Sequence, residues 1–151
     1  MSDTIMRLVP LQAKGYPCSQ MMMILALEEQ GRENPALVRA MAGLAKGLGD
    51  CSGSCGAMGG GACVLALYAG KGGDDEQALE AFKPMLYQLN EWFDEQTKGY
   101  GGSLCYQITE NKAGSVEMAP RCGKLIADAY DKVMELLVAH EIDPGQARDD
   151  D

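Results

Sequence analysis

The chain has 151 residues, a formal net charge of −9, and a composition that is 46% hydrophobic but only 6% aromatic. That length fits one domain with a real core, and the acidic balance repels a nucleic-acid backbone or an anionic membrane surface. Scarce β-branched residues beside abundant Ala, Leu and Met argue against extensive sheet. The expected fold is therefore all-α, a single-domain bundle of about five to six helices around a glycine-rich central helix.

In chain order, residues 1–16 read as an irregular or short helical lead-in ending at Gly15. A helix follows over about 17–31, with Pro17 in its first turn. It is apolar on all sides through Met21 to Leu27 and so should be central. That apolar run is far too short to span a membrane, and the start of the chain has no apolar run of signal-peptide length. Asn34 is the expected N-cap of a second helix with Pro35 at its first position. Leu37, Val38, Met41, Leu44 and Leu48 form its stripe, and Gly47 and Gly49 end it. A third helix is expected over about 52–70. It carries glycines at 56, 59, 60 and 61, each costing about 1 kcal/mol relative to Ala. Two returns weigh equally: close approach of a prosthetic group at Gly56, Gly59 and Gly60, or tight packing against another helix.

Asp74 or Asp75 should cap a fourth helix running through Phe82, with Pro84 starting a new turn or kinking it. Gly99 to Gly102 breaks this helix. A short helix over Ser103–Thr109 carries Cys105, residues 110–117 form a polar loop, and a long helix spans about 119–141. Residues 1–143 are read as the helical domain and 144–151 as an acidic, disordered tail.

There are six cysteines and one histidine. With no export signal read, the expected location is cytoplasmic. There, metal or redox duty is a better use for cysteine than a static disulfide framework. Cys18 lies at a helix start, where unpaired N–H groups stabilise a thiolate. Cys55 opens the run Cys55-Gly56-Ala57-Met58-Gly59-Gly60, and Cys105 follows a glycine-rich turn. Cys122 sits one turn before Ile126, Ala129, Val133 and Leu136, on a core-facing stripe. These four could converge on one site. Cys51 precedes Cys55 by one helical turn and is open between auxiliary ligand, resolving thiol and loop residue. Cys63 reads as a small core hydrophobe, and His140 as a cation at a helix C-terminus.

The four spaced cysteines resemble the C_GCAxxG_C_C family, a group of proposed redox-active proteins. The resemblance rests on Gly15-Tyr16-Pro17-Cys18, Cys55-Gly56-Ala57-Met58-Gly59, Tyr100-Gly101-Gly102-Ser103-Leu104-Cys105 and Cys122-Gly123-Lys124. It implies a small helical domain whose four cysteines bind an iron–sulfur cluster or otherwise do redox chemistry. Cys51 is an extra cysteine, which leaves open whether Cys51, Cys55 or both are ligands. The leading reading is a four-thiolate iron–sulfur site for electron transfer or redox sensing, in an electron carrier or accessory protein rather than a stand-alone enzyme. It would have a redox protein as partner, and the two copies of a homodimer could share the site. The alternatives are a thiol–disulfide protein with Cys51 and Cys55 as the pair, structural zinc, and a non-catalytic accessory protein whose cysteines only pack.

Overall fold

The computed structural model describes residues 3–110 and 119–148. Among them lie seven α-helices and no β-strand: α1 (Asp3–Ala13), α2 (Cys18–Glu29), α3 (Pro35–Met41), α4 (Gly56–Ala69), α5 (Phe82–Thr97), α6 (Cys105–Thr109) and α7 (Ala119–Ala139). The all-α bundle expected from composition is present, with one helix more than the pattern suggests.

The lead-in is a full helix. In α1, Leu8 and Leu11 are buried, and the Thr4 hydroxyl donates to Asp131 of α7 at 2.5 Å. Arg7 pairs with Glu29 at 2.8 Å and Glu28 at 3.1 Å, and its guanidinium lies 5.6 Å from the Tyr130 ring centre. These contacts tie α1 to α2 and α7.

The centre is α2 against α4, flanked by α5 and α7. Met22, Met23, Leu25 and Ala26 of α2 are buried, which bears out its all-round apolar pattern. Each large side chain so placed contributes about 1.5–3 kcal/mol relative to exposure. The glycines of α4 make this packing possible. A Cβ at Gly60 would lie 3.1 Å from both Met22 Cβ and the Ser19 Cα. One at Gly61 would lie 3.2 Å from Leu89 of α5 and from Val133 of α7. Small residues here let two backbones approach, which is the packing return for their helix cost.

The second expected helix starts as read: Asn34 accepts the Leu37 N–H at 3.1 Å. It ends at Met41 rather than near Gly47. Residues Lys46, Gly47, Leu48, Gly49 and Cys51 take positive φ values of 52°, 57°, 66°, 99° and 65°, which no right-handed helix accommodates. Leu48, read as the end of the apolar stripe, is 64% exposed. The third helix starts at Gly56, not 52, so Cys51 lies on this loop and not on α4.

Asp74 and Asp75 cap no helix; residues 72–80 are irregular, and the helix starts at Phe82. Pro84 is its third residue, where the missing N–H would lack an intrahelical partner anyway. Of the segment read as a tail, residues 144–148 lie against the bundle: Ala147 is buried, the Tyr68 hydroxyl donates to the Pro144 carbonyl at 2.7 Å, and Arg148 donates to the carbonyls of Gly70 and Gln77. The expected loop at 110–117 falls outside the described residues, except for Glu110.

Candidate functional site

Cys18, Cys55, Cys105 and Cys122 line one cavity of about 200 Å³. Cys18 is the first residue of α2 and Cys105 the first of α6; Cys55 is the N-cap of α4. Cys122 lies in the first turn of α7, one turn before the buried Ile126. The core stripe read in the sequence therefore does carry Cys122 to the cavity. The remaining lining is mostly apolar, including Leu8, Met21, Ile108, Leu125 and Ile126.

Two forces compete at these thiols. Backbone N–H groups of Lys46, Ser19 and Gly56 hydrogen-bond the Cys18 sulfur, and those of Ala57 and Met58 the Cys55 sulfur. Both sets favour thiolate. Burial opposes them and wins: desolvation pushes Cys18 up. Cys55 is pushed up to about 12, first by desolvation, then by the neighbouring Cys18 and, more weakly, Cys122. Cys105 is pushed up to about 12 by desolvation, by its hydrogen bond with Cys51, and by the charges of Cys51, Cys55 and Cys18. Four anions cannot share this low-dielectric cavity without a cation among them. Two of these sulfurs, those of Cys18 and Cys55, are already furnished with N–H donors that would stabilise them as anions.

Cys51 stands apart from this lining. Its thiol neighbours that of Cys105, whose pKa it raises, while the thiols that raise Cys55 are Cys18 and Cys122. The 46–53 loop presses on the start of α6. Gly53 accepts the Cys105 N–H at 2.9 Å, Cys55 donates to the Ser103 carbonyl at 3.2 Å, and Ser54 bridges Leu104 in antiparallel fashion. Gly47, at φ +57°, sits so close that a Cβ there would lie 2.6 Å from Cys105 Cβ. Only glycine fits both the conformation and the space.

Of the glycines read as cofactor contacts, Gly56 lines the cavity, and a Cβ there would overlap the Cys18 sulfur. Gly60 faces Met22 and Ser19, and Gly59 faces Leu44; neither lines the cavity. Cys63 packs partly buried against the core, away from the lining. His140 is half-buried and bonds Gln88 at 2.9 Å. Lys46 is a lining residue that no sequence pattern singles out; it reaches α2 only because the strained loop folds back over the helix start. Among the described residues, the cysteines are thiols rather than disulfides. No three Cys, His, Asp or Glu side chains among them are gathered so as to hold a single metal ion. No helix among them is long and apolar enough to cross a membrane.

The fold and site together define a helical domain built around a four-thiol cavity. The chain belongs to the C_GCAxxG_C_C family, described as "Putative redox-active protein (C_GCAxxG_C_C)", whose model matches residues 16–136. Comparison with curated proteins and with solved structures gave no match.

Proposed function

We propose that Cys18, Cys55, Cys105 and Cys122 hold an iron–sulfur cluster, and that the protein carries electrons or senses redox state with it. The observation that carries this reading is the meeting of all four motif thiols at one apolar cavity. The donor set fits the group. Clusters take four thiolates, and a cluster's positive iron would offset the burial, and at Cys55 and Cys105 the neighbouring sulfur charge, that keep Cys18, Cys55 and Cys105 protonated. A cluster's ligands also stand around a body larger than one ion, which suits a cavity better than the single-ion geometry of structural zinc.

Bound there, the cluster would supply one-electron transfer. The chain's own residues set the conditions for it. The N–H groups of Lys46, Ser19, Gly56, Ala57 and Met58 stabilise anionic sulfur at Cys18 and Cys55, and such donors to ligand sulfur tune reduction potential. Leu8, Met21, Ile108, Leu125 and Ile126 limit water. An electron carrier of this kind exchanges with a partner redox protein.

The test is anaerobic purification with a visible spectrum and assays of iron and acid-labile sulfide on the same sample. The expected result is brown protein containing both elements and bleached by dithionite. Serine at Cys18, Cys55, Cys105 or Cys122 lowers both elements, whereas serine at Cys63 leaves them unchanged. Colourless protein lacking both elements after reconstitution under reducing conditions refutes the reading.

A further inference from the structure

The extra cysteine has a specific neighbour. Cys51 is half-buried at the exit of the 46–53 loop, and Cys105 at the start of α6 is 7% exposed. Cys51 is the thiol that, after burial, most raises the Cys105 pKa, and the loop that carries it packs so closely on α6 that a Cβ at Gly47 would lie 2.6 Å from Cys105 Cβ. Backbone contacts on both sides of the pair hold the two segments together: Gly53 to Cys105 at 2.9 Å, and Cys55 to Ser103 at 3.2 Å. The loop itself is wound tightly, with Cys51 donating to Lys46 at 2.8 Å and Gly53 to Gly47 at 2.9 Å. Three non-glycine residues within it, Lys46, Leu48 and Cys51, hold positive φ. Such backbone costs about 1–2 kcal/mol per residue and persists only where surrounding contacts enforce it.

We propose that Cys51 and Cys105 form a reversible dithiol–disulfide pair, and that closing the disulfide withdraws Cys105 from the cavity's four-thiol set. The second clause rests on the iron–sulfur reading above; the first does not. The oxidant is a small-molecule disulfide such as oxidised glutathione. Cys51, the more accessible thiol, loses its proton and attacks one sulfur of the oxidant, expelling one thiolate and leaving a mixed disulfide. Cys105, deprotonated in turn, attacks Cys51 Sγ and expels the second thiolate. The two cysteine protons end on the two released thiols. The protein loses two electrons and the oxidant gains two. Once its sulfur is bonded to Cys51, Cys105 can no longer ligate as a thiolate. The extra cysteine thereby gives the site a thiol-dependent switch that Cys18, Cys55 and Cys122 alone lack.

The experiment treats the full-length, metal-free protein with oxidised glutathione, blocks remaining thiols by alkylation, and maps linkages by peptide mass spectrometry. In parallel, iron and sulfide uptake is measured for oxidised and dithiothreitol-treated samples of wild type and Cys51→Ser. The expected result is a Cys51–Cys105 linked peptide that dithiothreitol abolishes. Oxidised wild type should lose uptake and regain it on reduction, while oxidised Cys51→Ser keeps it. If Cys51 is found unlinked, or linked elsewhere, the pair is overturned whatever the uptake shows. A linked peptide with uptake unaffected by oxidation overturns the withdrawal of Cys105. If fully reduced wild type takes up neither element, the iron–sulfur reading and the withdrawal that rests on it fail, and the peptide map still decides the pair. The map uses wild type alone, so a misfolded variant cannot obscure it.

Discussion

Alanine at successive glycines of α4 separates close packing from mere tolerance. Gly→Ala in a helix interior gains about 1 kcal/mol in propensity. At Gly59 the new methyl meets Leu44 at 3.5 Å, an ordinary contact, so that gain should be kept. At Gly61 it meets methyl groups of Leu89 and Val133 at 3.2 Å. Those side chains can yield, and the change should be near neutral. At Gly60 it meets Met22 Cβ and the Ser19 Cα at 3.1 Å. These atoms move only with the α2 backbone. Overpacking of this kind costs about 1–3 kcal/mol, leaving a net loss of about 1 kcal/mol. The predicted spread between Gly59→Ala and Gly60→Ala is thus about 2 kcal/mol, or roughly 4–8 °C in Tm for a domain of this size. Urea unfolding followed by circular dichroism measures it, with unchanged m-values confirming that the comparison concerns one native state. If Gly60→Ala is as stable as Gly59→Ala, the α2–α4 contact does not require glycine and the packing argument is refuted.

Stability of the metal-free, reduced protein should fall as pH rises above about 9. The Cys55 thiol keeps its proton to about pH 12 when folded but loses it near 9 when unfolded, so its contribution is full below that window and lost within it. One pH unit there is worth about 1.4 kcal/mol. Wild type should therefore lose roughly 1 kcal/mol more than Cys55→Ala between pH 8 and pH 10 in urea titrations; equal losses refute the assignment. Ser19 is fully buried, and its hydroxyl donates to the Met41 carbonyl at 2.7 Å. Ser19→Ala strands that carbonyl and should cost about 1–3 kcal/mol, read as a lower Tm; an unchanged Tm would show that the bond contributes nothing net.

Much of this protein was legible as local pattern. Asn34-Pro35 announces a capped helix because one side-chain oxygen and one fixed φ act within a single turn. The spacing of Ile126, Ala129, Val133 and Leu136 fixes the buried face of α7, and hence the side from which Cys122 enters. The unbroken apolar run at Met21–Leu27 marks a helix surrounded by others. What failed locally failed for tertiary reasons. Asp74 and Asp75 look like caps, but the 70–80 segment is held irregular by Arg148, more than 70 positions away in the chain. Cys51 and Cys55 are close in sequence, yet the positive-φ loop turns the Cys51 thiol toward Cys105. The sequence by itself determined the all-α class and which side chains carry soft-ligand chemistry, because propensity, capping and periodicity are properties of neighbours in the chain. Only the tertiary structure decided which thiols share a cavity and which glycine faces it, because those depend on how helix starts far apart in sequence pack against one another.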